Sequence, residues 1–515
     1  MREEFDYIVV GGGTAGCVLA NRLTEDPGVS VLVLEAGSGC VPPSVDDPTA
    51  WRSLLGSRAD WKYRSIPQPG LGGRVTREPR GRGPGGSSNL HLMMNVRGHP
   101  SDYDGWARQG ASGWSYRDVA PYFDRLATRP GADAGTHDPH PASEAFLEAC
   151  AELGFARAGD FGAGTASGAG WHRLDIADGR RRGALAAYLE PALHRPNLTL
   201  RCDAQVTSLV VLEGTCAGVE YLQRPQPNGV TGRAVHDSRR EPRRPGLRQA
   251  CASREVILAG GAVESPKLLM LSGIGDPGHL RRVGVPVVAE LPGVGENFHN
   301  HVLTGVMTES RTSVREPRQN GSESVLFTAS APGLSAPDLQ LAFVHLPFDP
   351  AVADGHPDTV SILPGVISPA SRGRIRLAHA DPLARPLIHP NYLGDRGDLE
   401  RLVQGVRLAK EIIATSAFSP WNKQELRPGP AVTSDAALRA FVRRTADSYH
   451  HHAGSCRMGT DGTSVVDPAL RVHGIKGLRV ADASVMPTLP SGNCHSAVLM
   501  IAERAADLVK GDARV

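Results

Sequence analysis

Residues 3–36 read EEFDYIVVGGGTAGCVLANRLTEDPGVSVLVLEA, and this stretch decides the fold of the N-terminal part of the chain. The segment from Phe5 to Val10 is rich in β-forming residues, and the segment from Cys17 to Thr24 has the apolar spacing of a helix. A second strand is predicted for residues 29–34. The order strand, glycine-rich turn, helix, strand is typical of a parallel βαβ unit.

The turn carries the pattern GxGxxG, formed by Gly11, Gly13 and Gly16, and Glu35 ends the second strand 19 residues after the last glycine. The first glycine permits the tight turn, the second lets a pyrophosphate approach the backbone, and the third lets the helix pack closely on the strand. The helix N-terminus offers free N–H groups to phosphates, and Glu35 can accept a hydrogen bond from a ribose hydroxyl. An acid at this position favours a dinucleotide with a free 2′-OH, either FAD or NAD.

The composition is that of an ordinary globular protein. At roughly 150 residues per domain, 515 residues predict two or three domains. The chain has 56 basic and 54 acidic residues, so its net charge is close to zero and we expect no nucleic-acid partner. The eight cysteines include no CxxC pair, which argues against a zinc site and against a disulfide scaffold. There is no apolar run of 18 residues and the first strand begins close to Met1, so we expect no transmembrane helix, no signal peptide and a cytoplasmic location.

The middle of the chain gives weaker signals. Residues 41–100 are irregular, and residues 198–221 alternate like a β-hairpin. Residues 224–248 hold seven arginines, which we interpret as a solvated insertion at a hairpin tip; the alternative is a docking patch for an anionic partner. An apolar strand is predicted for residues 255–259 and a helix for residues 398–415.

Several long motifs then occur in a fixed order. Besides the N-terminal GGGTAGCVLANRL, they are GRGPGGSSNLHLMMNVRGHPSDYDGWA (81–107), GAVESPKLLMLSGIG (261–275), PGVGENFHNH (292–301), SRGRIRL (371–377), HHAGSCRMG (451–459) and VVDPALRVHGIKGLRVADASVMPTLPSGNCHSA (465–497). Through these motifs the chain resembles, from end to end, the glucose–methanol–choline (GMC) oxidoreductases, FAD enzymes that oxidise alcohols.

The resemblance implies an α/β fold, α+β overall. A Rossmann-like FAD-binding domain assembled from discontinuous segments would be joined to a substrate-binding domain with an antiparallel sheet. We expect residues 1–300 to form the FAD-binding domain, with excursions into the substrate domain near 41–75 and 140–190. Residues 301–448 would form the substrate-binding domain, and residues 449–515 would return to the FAD domain.

The loop at 81–107, which is expected to run along the flavin, departs from the family pattern at Pro84, His91 and Asn95. Some family members link the flavin covalently to a histidine at the position that Leu90 occupies here. We therefore expect non-covalent FAD, and the adjacent His91 is the alternative point of attachment.

The resemblance also places two catalytic histidines. With Gly454 as the glycine of the HxxG motif, His451 takes the catalytic position, and His495 follows 44 residues later, where relatives carry His or Asn. We expect His451 to accept the hydroxyl proton while hydride passes to flavin N5, and His495 to hydrogen-bond the same oxygen. His450 and His452 are interpreted as structural, because three consecutive side chains of a strand cannot converge on one metal ion.

A larger set of residues is implied as cofactor contacts. The loop at 85–87 would approach the pyrophosphate, Asn297 and Asp482 would hydrogen-bond along the flavin and ribityl chain, and Val206 would meet the adenine through its backbone. The full set is Gly11, Gly13, Thr14, Ala15, Gly16, Glu35, Ala36, Gly85, Gly86, Ser87, Asn89, His91, Val206, Asn297, Asp482, Ala483, Asn493 and His495. No metal site is expected.

The substrate is less well determined. Aromatic residues are only 5% of the chain, which gives no sign of a stacking cage for the quaternary ammonium of choline. A mostly apolar small-molecule pocket, with Trp61 and Phe298 as candidate wall residues, favours a primary alcohol on an aryl, allylic or furan carbon. We expect O₂ to reoxidise the flavin and give H₂O₂.

Three alternatives remain open. The first is a dehydrogenase of choline or polyol type that passes electrons to a quinone or another acceptor. The second is a hydroxynitrile-lyase-like activity on the same scaffold, and the third is a nicotinamide-dependent dehydrogenase. The sequence does not predict the oligomeric state.

Overall fold

The computed structural model describes residues 3–128, 138–159, 161, 167–224, 246–352 and 354–512. The arginine-rich segment at 224–248 lies mostly outside these residues, so its interpretation stays a prediction. The helices are α1 (Thr14–Leu23), α2 (Trp51–Leu54), α3 (Pro100–Arg108), α4 (Tyr116–Ala127), α5 (Pro141–Glu152), α6 (Glu190–Ala192), α7 (Gly261–Leu271), α8 (Pro277–Arg282), α9 (Arg396–Ile413), α10 (Asp435–Thr445) and α11 (His495–Asp512).

The strands follow the same numbering along the chain. They are β1 (Glu3–Val10), β2 (Val31–Leu34), β3 (Tyr63–Arg64), β4 (Arg77–Glu78), β5 (Met94–Asn95), β6 (Gly168–Trp171), β7 (Arg173–Leu174), β8 (Ile176–Ala177), β9 (Arg180–Arg181), β10 (Leu198–Arg201), β11 (Ala204–Leu212), β12 (Thr215–Gln223), β13 (Gly246–Leu258), β14 (Ile274–Gly275), β15 (Ala289–Glu290), β16 (Val302–Leu303), β17 (Val306–Glu309), β18 (Ser324–Thr328), β19 (Leu339–Val344), β20 (Thr359–Val366), β21 (Arg374–Arg376), β22 (Leu387–His389), β23 (Gln424–Arg427), β24 (Asp447–Ser448) and β25 (Leu478–Val480).

Within the described residues, seven strands form the first large sheet. Strands β10, β2, β1, β13 and β25 run parallel, and β13 also pairs with the antiparallel hairpin β11–β12. The register places Val10 beside Leu34 and Leu258, so these three strands end at one edge of the sheet. Gly11 and Glu35 follow two of them directly and lie at that edge, where parallel sheets bind dinucleotides.

The predicted hairpin at 198–221 is only partly correct. Strands β11 and β12 form it, whereas residues 198–201 form β10, which pairs in parallel with β2. The cause is the tight turn before β11, where Asp203 adopts a left-handed backbone with φ of 53° and redirects the chain.

Eight of the described strands form the second large sheet, which is antiparallel throughout. Its central strand β19 is buried along its whole length, and helices α5, α9 and α10 contribute apolar side chains to the core that covers it. The predicted fold class, a Rossmann-like domain plus a domain with an antiparallel sheet, is confirmed. The exact domain boundaries stay a prediction.

The two sheets meet near the predicted catalytic residues. Strand β24 pairs with β16 of the antiparallel sheet, and the chain then reaches His451 three residues after β24 ends. Strand β25 and helix α11 return to the parallel sheet, and α11 begins at His495. In the part of the chain that the structure describes, no helix combines the length and the apolar character that a membrane span needs.

Candidate active site

The glycine-rich turn is built for close backbone contact. A Cβ on Gly16 would lie 1.9 Å from the carbonyl oxygen of Gly11, so only glycine lets α1 pack this closely on β1. A Cβ on Gly86 would lie 2.7 Å from Cα of Gly13, and Gly86 has φ of 54°. The backbone N–H of Gly85 donates to the carbonyl of Gly12 at 2.8 Å. Two glycine loops therefore face each other without side chains, which is a cradle suited to a pyrophosphate.

The N-terminus of α1 is free to bind an anion. Its N-cap, Gly13, supplies no side-chain hydrogen bond, and the first turn carries no acidic residue. The amides of the first turn and the positive end of the helix dipole are therefore available to phosphate oxygens.

Glu35 lies at the same edge and accepts three backbone hydrogen bonds. Its Oε2 accepts from the N–H of Gly12 at 2.8 Å, and its Oε1 accepts from Gly37 at 2.7 Å and Gly83 at 2.9 Å. Burial raises the pKa of this carboxyl, and the three N–H groups oppose the shift. An ionised carboxylate has about four acceptor positions, so one is left for a ribose hydroxyl.

A continuous cleft connects these features, and many of the predicted cofactor residues line it. Of the predicted set, Gly11, Gly13, Thr14, Ala15, Glu35, Ala36, Gly86, Ser87, Val206, Asp482 and Ala483 line the cleft. The cleft therefore fits FAD through its glycine backbones, helix N-terminus and ribose acceptor.

Two other predicted contacts, Gly16 and Asn89, are not among the residues that line the cleft. Gly16 packs against the carbonyl of Gly11, and the side-chain amide of Asn89 donates to the carbonyl of Pro84 at 2.7 Å in the loop that contains Gly85. Their roles as direct contacts stay predictions.

Asp482 and Asn297 act mainly as connectors between chain segments. The Asp482 carboxylate accepts from the N–H of Gly261 at 2.8 Å and from the hydroxyl of Ser265 at 2.6 Å. The Asn297 amide donates to the carbonyls of Gly454 and Pro487. Asp482 faces the cleft, whereas Asn297 ties the histidine loop to the segment before His495.

His451 has partners on both ring nitrogens. Its Nδ1 lies 2.9 Å from Nδ1 of His301, and its Nε2 lies 3.2 Å from the side-chain nitrogen of Asn493. Its ring also lies 4.8 Å from the ring of Tyr449, measured between centroids. If the Asn493 amide donates to Nε2, then Nδ1 carries the proton and donates to His301. Nε2 is then the nitrogen that carries the lone pair, and the Asn493 amide donates to it in this structure.

The electrostatics keep this ring neutral. Burial lowers the pKa of His451 well below its usual range, and nearby His301, His450 and Arg80 lower it further. Burial likewise lowers the pKa of His301 to about 3. A neutral imidazole is the form that can take up a proton.

His495, the second predicted catalytic residue, has a different set of neighbours. Its ring lies 4.5 Å from the ring of His91, measured between centroids, and its Nε2 lies 3.8 Å from Oδ2 of the buried Asp175. The side chain of Asn95 also contacts Asp175, at 3.1 Å. The structure thus groups His451 with Asn493, and His495 with His91.

The three consecutive histidines point to three different partners. His450 contacts the hydroxyl of Ser448 at 3.0 Å, and His452 contacts the Glu78 carboxylate at 2.5 Å. Each of the three rings thus contacts a different residue: His301 for His451, Ser448 for His450 and Glu78 for His452. These contacts agree with the structural interpretation of His450 and His452. His452 also lines the cleft, so it borders the cofactor space.

Sequence reasoning missed several side chains of the site. Tyr63, whose hydroxyl donates to Glu264 at 2.5 Å, lines the cleft, as does Arg80. Trp61, predicted as a candidate wall residue of the substrate pocket, also lines the cleft, and the Arg82 guanidinium lies 4.8 Å above its ring. These residues come from the irregular segment before residue 81, where no periodicity marks them. Phe298 is fully buried against His452.

Comparison with known proteins decides the family. The model of the N-terminal part of the GMC oxidoreductases matches residues 5–303, and the model of the C-terminal part matches residues 369–502. The chain belongs to the GMC oxidoreductase family. It is an FAD-dependent oxidoreductase that acts on CH–OH groups.

This GMC oxidoreductase is similar to proteins of several activities. It is 40% identical to human mitochondrial choline dehydrogenase over 99% of this chain and 90% of that protein. It is 36% identical to the oxygen-dependent choline dehydrogenase of Chromohalobacter salexigens, over 99% and 95% of the two chains. The crystal structure of pyridoxine 4-oxidase from Mesorbium loti superposes with a TM-score of 0.89 at 32% identity and covers 98% of both chains.

These relatives support alcohol oxidation by the GMC oxidoreductase in general terms. The expected cytoplasmic location stays a prediction, and the human relative is named as mitochondrial. The non-covalent attachment of FAD also stays a prediction.

Proposed function

We propose that the protein oxidises an uncharged primary alcohol, on an aryl, allylic or furan carbon, to the aldehyde, with O₂ as the electron acceptor and H₂O₂ as the second product. The observation that carries this proposal is the environment of His451, which is buried, neutral and surrounded by uncharged or basic groups. FAD, when bound, supplies the acceptor for the hydride of the carbinol carbon.

Proton removal is the task of His451. Its Nε2 carries the lone pair when Nδ1 donates to His301, and the 2.9 Å contact holds the ring in that orientation. The hydroxyl proton moves to Nε2, and the Asn493 amide lies close enough to hydrogen-bond the substrate oxygen. His495 is proposed to orient the same oxygen from the side of His91 and Asp175.

The charge around His451 disfavours a cationic substrate. Of the neighbours that lower its pKa, Arg80 carries a positive charge, whereas burial keeps His301, His450 and His452 neutral. A quaternary ammonium placed beside this ring would meet Arg80 across a buried, low-dielectric space. An uncharged alcohol avoids that repulsion.

Choline is the second candidate, and two observations favour it. The chain is similar to choline dehydrogenases at 36% and 40% identity. Asp175 is a buried carboxylate next to His495, where it could face a quaternary ammonium.

A pair of substrates of almost equal shape separates the two candidates. Choline and 3,3-dimethylbutan-1-ol differ by the positive charge on nitrogen, so their rates of anaerobic flavin reduction compare charge at constant size. We expect the neutral alcohol to bleach the flavin at least about tenfold faster at low concentration, and benzyl or cinnamyl alcohol faster still. Faster reduction by choline would overturn the proposed substrate class.

Admission of air to the reduced protein tests the acceptor. Fast return of the flavin colour with stoichiometric H₂O₂ supports the oxidase, whereas slow return contradicts it and points to a quinone or another acceptor. If no alcohol bleaches the flavin but a cyanohydrin is cleaved, the lyase alternative replaces the proposal.

A further inference from the structure

A second cavity, separate from the flavin cleft, lies beside the antiparallel sheet and has a volume of about 620 Å³. This is within the range of small-molecule sites, about 300–1,000 Å³. None of the predicted catalytic or cofactor residues lines it. Its wall carries five arginines, namely Arg64, Arg74, Arg77, Arg427 and Arg444.

Three of these arginines are free to bind a ligand. Among the described residues, Arg64, Arg77 and Arg444 are exposed, and their side chains have neither a hydrogen bond nor an ion pair. Arg427 is paired with Asp349 at 2.7 Å, and Arg74 donates to the carbonyls of Ala446 and Arg443.

The acids of the wall offset only part of the arginine charge. Asp349 is used by Arg427, and Asp447 is the other carboxylate in the lining. Since five arginines face two carboxylates, the cavity has a surplus of positive charge. Guanidinium groups bind carboxylate and phosphate oxygens in bidentate geometry, and they stay charged at every ordinary pH.

The cavity wall is also close to the histidine loop. The Thr76 hydroxyl donates to Glu78 at 2.7 Å, and Ser448, next to Asp447 on β24, donates to Glu78 at 2.8 Å. Glu78 in turn contacts His452. A ligand in the cavity would therefore lie on the outer side of the hydrogen-bond network that supports the catalytic loop.

We propose that this cavity binds a small dianion, a molecule that carries a phosphate or two carboxylates, through Arg64, Arg77 and Arg444. The concave shape favours a small molecule over an extended surface. The assignment does not depend on the proposed substrate, because it rests on residues outside the flavin cleft.

The test is calorimetric titration of the FAD-loaded protein with sulfate, inorganic phosphate or succinate, with sodium chloride used to keep the ionic strength constant. We expect saturable binding, and the tighter of phosphate and succinate identifies phosphate or dicarboxylate chemistry. In the double variant Arg77→Gln/Arg444→Gln we expect the affinity to fall at least about tenfold.

A charge-matched control distinguishes direct contact between the arginines and the anion from the long-range effect of the protein's net charge. Arg311 and Arg396 are exposed and lie outside the cavity lining, so Arg311→Gln/Arg396→Gln removes the same charge. We expect this control to bind within about twofold of the parent protein. Absence of saturable binding, or an equal loss in both double variants, would overturn the proposal. Flavin content and thermal midpoint confirm that both variants fold.

The pH dependence of sulfate binding gives a second, independent test. Burial raises the pKa of Asp447 to about 6, Glu78 adds to the shift, and Arg74, Arg77 and the N–H of Ser448 oppose it. As the pH falls from about 7.5 to 5.5, Asp447 gains a proton while sulfate keeps both charges. We therefore expect tighter binding at the lower pH, and no such trend in Asp447→Asn. Weaker binding at low pH, or an unchanged trend in the variant, contradicts the assignment.

Discussion

The carboxylate of Glu78 and ring Nε2 of His452 are 2.5 Å apart, and both side chains are completely buried. Burial alone would raise the pKa of Glu78, but the His452 ring and the hydroxyls of Thr76 and Ser448 outweigh it and lower this pKa. Burial and nearby Arg80 lower the pKa of His452, so an ionised carboxylate accepts from a neutral ring. Glu78 thus anchors the residue next to His451.

Replacement of Glu78 by Gln should destabilise the protein and disturb this loop. Thr76, Tyr392, Ser448 and His452 all make hydrogen bonds to the carboxylate, and an amide turns one acceptor into a donor. We expect a loss of about 1–3 kcal/mol in the free energy of unfolding, measured by denaturant titration, because at least one buried donor loses its acceptor. The exposed Glu148→Gln is the matched control and should leave stability unchanged. Equal stability of both variants would show that Glu78 is not an anchor.

The sequence predicts the fold well where local signals and tertiary structure agree. The GxGxxG turn predicts both parallel strands and α1, because each glycine meets a specific requirement of the strand–turn–helix geometry. The sequence-based prediction is wrong at residues 198–201. The alternating pattern there indicates a strand, but it does not show which strand it pairs with. Sheet pairing depends on where the chain returns in space, and a period of two residues contains no such information.

The site shows the same limit more sharply. His451 and His495 belong to recognisable motifs, whereas Glu78 and Asp175 lie in segments without a pattern and reach the histidines only through tertiary contacts. His301 ends the motif at 292–301, but its 2.9 Å contact with His451 joins residues 150 positions apart. A single sequence predicts which residue types are present, and the fold decides which of them meet.

Replacement of His451 by Ala should slow anaerobic flavin reduction by about 10²–10⁴-fold, the usual contribution of a positioned general base. The flavin content should stay the same, because His451 is not among the residues that line the cleft. The exposed His379→Ala is the control histidine and should reduce its flavin at the parent rate. An unchanged rate constant in His451→Ala would remove this residue from the mechanism.

Replacement of Gly86 by Ala should weaken FAD binding. The new Cβ would lie 2.7 Å from Cα of Gly13, inside the cradle, and the backbone φ of 54° disfavours any side chain. We expect the FAD affinity to fall at least about tenfold, which is about 1.4 kcal/mol, as measured by flavin absorbance per chain and by titration of the apoprotein. Gly462→Ala adds a methyl group with nothing within 4 Å and should keep its flavin. Full retention of FAD by Gly86→Ala would mean that the two loops do not form the cradle.

The rate of flavin reduction should not fall as the pH drops through 6.5, the usual pKa of histidine. Burial lowers the pKa of His451 well below that value, so the ring stays deprotonated, and able to accept a proton, across this range. A base with a lowered pKa loses activity only when the pH falls through that lowered value, which puts the acid limb of the profile below the usual histidine range. The measurement is the limiting rate constant of anaerobic reduction at saturating alcohol between about pH 5 and 8, where an unperturbed imidazole titrates. A steep loss centred near pH 6.5 would show that the catalytic base titrates like a solvent-exposed histidine, and it would contradict the buried, neutral environment on which the proposed substrate class depends.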